Sequence, residues 1–196
     1  MKILIVGSGA REHAIAWKLA QNPGLEKVFF SSHNGGATGK LENLNLPDNN
    51  TQTIRAWLTN HPVDLVIIGP ENPLNEGIVD QLSADGIKVF GPQKAAARLE
   101  GSKAFAKAFM RKYDIPTANY KKCESLSFAQ DALPEFGYPV VIKPDGLCAG
   151  KGVYICHDET EAQQALHEIF VDQVFSNQGT SVVIEQYLQG FEASLL

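Results

Sequence analysis

The sequence contains only three cysteines in 196 residues, Cys123, Cys148 and Cys156, and none of them forms a C-x-x-C spacing. Any disulfide scheme would leave one thiol over, so the pattern does not indicate a disulfide framework. Free thiols persist in reducing compartments. We therefore expect a cytoplasmic protein.

Long apolar runs and an excess of positive charge are also missing. The apolar stretch at residues 3–6 is too short for a signal-peptide core, and no stretch reaches the ~20 residues of a membrane-spanning helix. The chain has 17 Lys and Arg against 22 Asp and Glu, a net charge of −5. These features disfavour a membrane or nucleic-acid partner. The apolar fraction of 44% is typical of a globular protein.

The first hundred residues alternate between strand and helix patterns. Short apolar runs predict strands, and runs with helical spacing predict helices. We predict strands at 3–6, 28–30, 63–68 and 87–90, and helices at 11–21, 51–60 and 76–84. Repeated βα units of this length indicate a parallel, doubly wound α/β sheet with right-handed crossovers.

The second half follows a different order. Ser102 is a plausible N-cap for a helix at 103–113, and Pro116 then interrupts the chain. Strands at 140–143 and 153–156 flank a glycine loop without an intervening helix, which predicts an antiparallel hairpin. A helix at 159–170 and a strand at 182–186 complete a small α+β domain. Residues 192–196 read as the start of a strand, which we interpret as a sign of truncation.

Gly7 and Gly9 connect the first strand to the first helix. Such a junction presents backbone N–H groups and a positive helix end to an anion. The dinucleotide-binding pattern would require a third glycine at the position of Glu12, which disfavours a nicotinamide enzyme. A tight turn without a ligand is the alternative. Arg11 and His13 could both contact a phosphate. Alternatively, Arg11 is a solvated surface residue and His13 is a capping or core-edge residue.

The loop predicted at 69–74 follows the third strand, at the sheet edge where ligands of open α/β sheets bind. Two prolines fix the path of this loop. Glu71 could accept hydrogen bonds from sugar hydroxyls or an amine. A rigid turn with a solvent-facing glutamate is the alternative.

The strongest local feature lies at 140–153. An apolar strand ends in Lys143, and a loop with three glycines and Lys151 leads into the next strand. Glycines allow close backbone approach to phosphate oxygens, and lysines supply compact positive charge. The segment is not a Walker loop, because a glycine and a strand follow Lys151. A glycine-rich hairpin with incidental lysines is the alternative, and Glu185 could likewise be a solvated strand end.

Taken together, eight blocks resemble the phosphoribosylamine–glycine ligases (glycinamide ribonucleotide synthetases), a family of ATP-grasp enzymes of purine biosynthesis. The blocks are residues 7–14, 34–38, 69–74, 90–92, 99–103, 115–118, 143–152 and 192–194. The start Arg-Glu-His-Ala and the motif Gly-Pro-Glu-x-Pro-Leu favour this family over other ATP-grasp ligases. The sequence departs from the family pattern at Ala10, His33, Pro144, Cys148, Gln186 and Phe191.

The resemblance implies a reaction in which ATP phosphorylates the carboxylate of glycine and the amine of 5-phosphoribosylamine attacks the glycyl phosphate. The products are glycinamide ribonucleotide, ADP and phosphate. It places Gly7, Gly9, Arg11 and Glu71 at the phosphoribosylamine site and Lys103 and Lys143 on the ATP phosphates. Asp145, Gly146, Gly150, Lys151 and Gly152 would close over the phosphates, and Glu185, Leu188 and Glu192 would hold the adenosine.

The resemblance also implies a domain layout. We expect a Rossmann-like, pre-ATP-grasp substrate-binding domain at 1–101, a linker helix region at 102–119, an ATP-grasp lid subdomain at 120–190 and the first strand of an ATP-grasp core at 191–196. The family's Mg²⁺ (or Mn²⁺) ligands and glycine site would lie beyond residue 196, so we assign no catalytic or metal-binding residue and expect this chain alone to be inactive. The alternative is a noncatalytic nucleotide- or phosphosugar-binding module that acts with a separately encoded C-terminal ligase half.

Overall fold

A computed structural model describes residues 1–148, 151–175 and 181–195. The chain divides into two units, Met1–Arg98 and Leu99–Leu196. Each unit has its own sheet, and buried apolar residues form core clusters on both faces of the first sheet and beside the second sheet. Within the described residues, no helix is both long and apolar enough to cross a membrane.

The first unit is built on a five-stranded sheet in which every strand pair is parallel. The elements in chain order are β1 (Lys2–Val6), α1 (Ala10–Ala20), β2 (Lys27–Phe30), β3 (Leu41–Asn43), α2 (Thr51–Asn60), β4 (Leu65–Ile68), α3 (Glu71–Glu76), α4 (Ile78–Ala84), β5 (Val89–Phe90) and α5 (Lys94–Gly101). The strand order, β3-β2-β1-β4-β5, steps outward in both directions from β1, as in a doubly wound sheet. The predicted fold class is confirmed.

Side chains of β1 alternate between two cores, because successive residues of a strand point to opposite faces. Ile3 and Ile5 pack with Ala16 of α1. Leu4 and Val6 pack in the other core, with residues of α2 and α4 such as Ile54. A central strand buried on both faces explains why residues 3–6 are an unbroken apolar run.

The sequence-based prediction was wrong at residues 69–74, where a loop was expected. Glu71–Glu76 forms the helix α3, with Pro70 at the N-cap and Gly77 ending it at φ +91°. Pro73 is compatible with this helix because N–H groups of the first turn have no intrahelical partner in any case. Strand β3 and helix α5 were also not predicted.

The second unit contains a four-stranded, fully antiparallel sheet. Its elements are α6 (Lys103–Lys112), β6 (Tyr120–Cys123), α7 (Leu126–Ala132), a 3₁₀ turn (Leu133–Glu135), β7 (Val140–Pro144), β8 (Tyr154–Cys156), α8 (Glu159–Phe170) and β9 (Val182–Gln186). The strand order is β6-β9-β7-β8. The expected antiparallel hairpin is the pair β7 and β8. Ser102 caps α6, accepting a hydrogen bond from the Phe105 N–H at 3.1 Å.

The two faces of this sheet carry different side chains. Val140, Ile142, Val182 and Ile184 belong to the buried core that also includes residues of α7 and α8. By strand alternation, Val141, Lys143, Val183 and Glu185 lie on the opposite face. Val141 is directly opposite Glu185, and Lys143 is directly opposite Val183. The register therefore groups a lysine and a glutamate on one face of neighbouring strands.

The strand expected at residues 191–196 is not formed within the part that the structure describes. Residues 191–195 belong to neither helix nor strand, and residue 196 lies outside the described residues. The side chains of Phe191 and Leu195 are 94% and 101% exposed. A β-strand is stabilised by hydrogen bonds and side-chain packing with a neighbouring strand, and among the described residues no strand pairs with residues 191–195.

Candidate functional site

The turn between β1 and α1 is held by internal hydrogen bonds. The Gly7 N–H donates to Ser31 Oγ at 2.8 Å, and the Gly9 N–H donates to Glu12 Oε2 at 2.6 Å. The two glycine amides expected to bind an anion are therefore already engaged. An anion at this turn would have to use the first-turn amides of α1, which have no carbonyl acceptor within the helix.

Glu12 organises this turn, a role that sequence reasoning missed because it considered Glu12 as an absent glycine and as part of a family motif. Its side chain is buried, with 4% exposure. Cβ atoms placed on Gly69, Gly9 and Gly7 would stand 2.1, 2.6 and 3.1 Å from Glu12 atoms. Oε1 has no hydrogen-bond partner among the described residues. The three glycines thus make room for one buried carboxyl group, a pattern that is visible in sequence only once the strands are placed together.

Arg11 and Glu71, predicted separately for the substrate site, form an ion pair with 2.7 Å between Arg11 Nη2 and Glu71 Oε1. Their side chains are 67% and 42% exposed. A hydrogen bond from its own backbone N–H, together with the bond from Arg11, lowers the pKa of Glu71. Both side chains of the pair are accessible to solvent.

The loop after β2 is fastened to the same turn. The Asn34 side-chain amide donates to the Ser8 carbonyl at 2.8 Å, and its Oδ1 accepts from the Gly36 N–H at 2.8 Å. His13 Nε2 lies 3.3 Å from the Gly36 carbonyl oxygen. The loops after β1 and β2 therefore meet at the carboxyl edge of the parallel sheet, where ligands of such folds bind.

A cluster of three charged side chains in the second unit contains two of the predicted ATP-site residues. Glu185 Oε2 is 3.0 Å from Lys143 Nζ and 2.9 Å from Lys107 Nζ. Lys107 also donates to Thr117 Oγ1 at 2.8 Å. Two ammonium groups and one carboxylate leave a formal surplus of one positive charge. Sequence reasoning missed Lys107, because a lysine inside a helix is normally a surface residue.

Lys103 and Asp145 connect α6 to the loop after β7. Lys103 Nζ donates to the carbonyl oxygens of Pro144 at 3.0 Å and Gly146 at 2.8 Å. In return, Asp145 Oδ1 accepts from the Ala104 N–H at 3.1 Å, and both carboxylate oxygens of Asp145 are 3.1 Å from Ser102 Oγ. Both predicted phosphate-binding lysines thus lie beside the end of β7.

The other predicted ATP-site residues are less closely organised. Lys151 is exposed, and Gly152 has φ +88° with Phe175 and Pro144 atoms 3.0 Å from a Cβ placed on it. Leu188 is 63% exposed, and Glu192 is exposed in the irregular segment after β9. Gly150 lies outside the described residues. The predicted site residues with defined side-chain contacts therefore lie on α6, β7 and β9 and in the loop after β7.

Comparison with known families matches both halves of the chain. Residues 1–100 match the model of the phosphoribosylglycinamide synthetase N domain, and residues 101–196 match that of the ATP-grasp (A) domain of the same enzyme. The chain belongs to the phosphoribosylglycinamide synthetase family. The two models meet inside α5, close to the boundary between the structural units after Arg98.

Individual relatives agree with this family. Over the whole chain it is 46% identical to the phosphoribosylamine–glycine ligase of Clostridium acetobutylicum and covers 47% of that protein. The crystal structure of phosphoribosylamine–glycine ligase from Thermotoga maritima matches 97% of the chain, with 32% identity and a TM-score of 0.78, and 45% of its own chain is covered. D-Alanine–D-alanine ligase from Bacillus anthracis, with 21% identity, a TM-score of 0.65 and coverage of 97% of this chain and 60% of its own, shares the fold. The chain spans about half the length of the curated relatives it matches.

The backbone conformation accounts for one departure from the resemblance noted in the sequence. Ala10 is the first residue of α1. Ala10 is not among the residues with positive φ, so its backbone conformation does not require glycine. The substitution is compatible with the turn that precedes α1.

Proposed function

We propose that this chain supplies the phosphoribosylamine site and the nucleotide-binding part of a ligase that joins 5-phosphoribosylamine to glycine. ATP phosphorylates the glycine carboxylate, and the amine of phosphoribosylamine then displaces phosphate from the glycyl phosphate. Glycinamide ribonucleotide, ADP and phosphate are the products. Membership of the phosphoribosylglycinamide synthetase family and the names of the relatives support this reaction.

The observation that carries the nucleotide assignment is the position of Lys103 and Lys143 beside the end of β7 and the glycine loop that follows it. When the nucleotide binds, the Lys103 ammonium donates to phosphate oxygens instead of the carbonyl oxygens of Pro144 and Gly146. The glycine loop then closes over the nucleotide. Lys143, whose side chain is 25% exposed, contacts the phosphates from the sheet face that also carries Glu185. Compact ammonium groups of this kind stabilise the charge that builds up during phosphoryl transfer.

The adenosine contacts in this proposal come from Glu185, Leu188 and Glu192. Glu185 lies at the end of β9, and the backbone after β9 is free of sheet pairing in the described residues. The proposed loop over the phosphates comprises Asp145, Gly146, Gly150, Lys151 and Gly152. Closure of such a loop excludes water from the hydrolysable acyl phosphate.

The proposed phosphoribosylamine site lies at the carboxyl edge of the first unit's sheet. The first-turn amides of α1 receive the phosphate, and Gly7 and Gly9 shape the turn that positions them. Arg11 offers a second phosphate contact. Glu71 accepts hydrogen bonds from the ribose hydroxyls or the amine once Arg11 turns to the phosphate, which the exposure of this ion pair allows.

Magnesium is required by the proposed chemistry, but the described residues do not fit a resident magnesium site. Asp145 accepts hydrogen bonds from α6, and Glu185 accepts from two lysines. Magnesium prefers carboxylate oxygens without such competing cations. We therefore assign no catalytic step to metal ligands of this chain, and we propose that turnover needs the further sequence that the relatives carry. The free thiols Cys123, Cys148 and Cys156 support a cytoplasmic location.

Calorimetric titration of ATP into the wild type and Lys143→Ala tests the nucleotide assignment. We expect the substitution to weaken ATP binding roughly tenfold or more, the effect of losing one charge-assisted contact. Lys121→Ala is the matched control, because Lys121 lies in the same sheet and pairs with Glu135. Equal ATP affinity of wild type and Lys143→Ala would remove Lys143 from the site.

A further inference from the structure

The carboxylate of Glu185 is shared by two lysines that differ in exposure. The Lys107 side chain is 10% exposed and the Lys143 side chain is 25% exposed, while that of Glu185 is 6% exposed. Both ammonium groups approach the same oxygen, Oε2, at 2.9 and 3.0 Å. The cluster therefore contains one cation more than the buried carboxylate needs.

Lys107 has little freedom to leave this position. Its ammonium group also donates to Thr117 Oγ1, so two acceptors hold it inside the second unit. Lys103 precedes it by four residues on α6, so both side chains project from the same face of the helix. Lys143 is the more exposed of the two partners of Glu185, at the end of an apolar strand.

We infer that Lys107 is a positioning residue that allows Lys143 to leave Glu185 and bind a nucleotide phosphate. A buried carboxylate that loses its only cation is strongly unfavourable. If Lys143 were the sole partner of Glu185, each turn of Lys143 toward a phosphate would leave that carboxylate uncompensated. Lys107 remains in place and neutralises Glu185, so the ammonium of Lys143 is available to the ligand. This inference rests on the proposed nucleotide site.

The arrangement predicts a specific dependence between residues. Without the charge of Lys107, Lys143 should remain paired with Glu185, because it is then the only cation beside that carboxylate in the cluster. ATP binding should therefore weaken, although Lys107 itself does not touch the nucleotide. Removing the charge of Glu185 at the same time should free Lys143 again. A residue that only supports the fold would weaken ATP binding equally with and without the charge of Glu185.

The test measures ATP affinity by calorimetry for the wild type, Lys107→Met, Glu185→Gln and the double variant. We expect Lys107→Met to weaken binding roughly tenfold in the wild-type background. In the Glu185→Gln background the same substitution should change affinity by less than about twofold, which is the usual limit of additive behaviour. Lys107→Arg keeps the charge and should bind more tightly than Lys107→Met. Equal losses in both backgrounds would overturn the inference.

A second readout does not depend on ATP. The rate at which acetic anhydride modifies the Lys143 amine, followed by mass spectrometry, should fall in Lys107→Met and recover in the double variant with Glu185→Gln. Lys88, an exposed lysine of the first unit, is the internal reference. Circular dichroism verifies that each variant is folded. An unchanged Lys143 rate in folded Lys107→Met would overturn the inference independently of nucleotide binding.

The outcomes separate the inference from the proposed function. If Lys143→Ala weakens ATP binding and Lys107→Met does not, the nucleotide site stands and the role of Lys107 is wrong. If Lys143→Ala has no effect, the assignment of Lys143 fails, and the inference about Lys107 fails with it.

Discussion

The buried carboxyl group of Glu12 determines which residues are tolerated around it. Its Oε2 holds the Gly9 amide, and its atoms fill the space that side chains at Gly7, Gly9 and Gly69 would need. Gly69 follows β4, whereas Glu12 belongs to α1. One side chain thus connects the turns after two neighbouring strands of the parallel sheet.

Gly69→Ala should destabilise the first unit. A Cβ at this position would stand 2.1 Å from Glu12 Oε1 and 2.5 Å from Cγ. Glu12 can move away only by giving up its bond to the Gly9 amide, so we expect a loss of about 1–3 kcal/mol in the free energy of unfolding, as in other overpacked sites. Urea denaturation measures this loss.

Gly35→Ala is the matched control, because no atom lies within 4 Å of a Cβ placed there. Its free energy of unfolding should stay close to that of the wild type. Combining Gly69→Ala with Glu12→Ala should cost less than the sum of the two single changes, since the second substitution removes the colliding group. Strict additivity would show that Glu12 is not the obstacle.

At the scale of elements, α6 and the loop after β7 are joined by hydrogen bonds that involve side chains of both. Ser102 Oγ and the Ala104 N–H donate to Asp145, and Lys103 donates to loop carbonyl oxygens. A carboxylate at a helix N-terminus is favoured by unsatisfied amides and by the helix dipole. This connection fixes the position of residues 144–146.

Ser102→Ala should both weaken the cap of α6 and loosen residues 145–148. We expect a loss of about 1 kcal/mol in the free energy of unfolding, the usual effect of removing a serine cap. Hydrogen exchange of the amides at 145–148 should become faster. Ser125→Ala is the control, because Ser125 caps α7 through the Phe128 N–H at 3.3 Å. An equal acceleration at 145–148 in both variants would contradict a specific link between Ser102 and the loop.

Helices and strands with a clear hydrophobic periodicity could be predicted from the sequence. A helix that contains proline and a strand of three residues could not. The helix predicted at 51–60 is α2, and the strand predicted at 182–186 is β9. The helix α3 was missed because Pro70 and Pro73 suggest a loop, although Pro70 is only the N-cap and a proline is acceptable in a first helical turn. Strand β3 has only three residues, too few for an alternating pattern to be detected.

At the scale of the whole molecule, the chain carries two family domains and about half the length of its relatives. We predict that the chain does not catalyse the ligase reaction by itself. The acidic side chains beside Lys103 and Lys143 already accept hydrogen bonds from other groups of the protein. Asp145 is bound to α6 and Glu185 to Lys107 and Lys143. Magnesium bridging of the phosphates, which phosphoryl transfer requires, would need other ligands.

A coupled ADP-release assay with ATP, magnesium, glycine and 5-phosphoribosylamine checks this prediction. The full-length phosphoribosylamine–glycine ligase of Clostridium acetobutylicum serves as the positive control. We expect ADP release by the control and only background release by this chain. Robust, substrate-dependent turnover by the chain would show that it contains a complete catalytic site.

The sequence by itself determined the α/β character of the first unit, the hairpin around the glycine loop and the family, because local periodicity and ordered motifs carry that information. Only the tertiary structure decided the partners of the functional side chains. It engaged the Gly7 and Gly9 amides, paired Arg11 with Glu71 and placed Lys107 on Glu185. These contacts join residues distant in sequence, and strand order, register and packing bring them together, which no local pattern encodes.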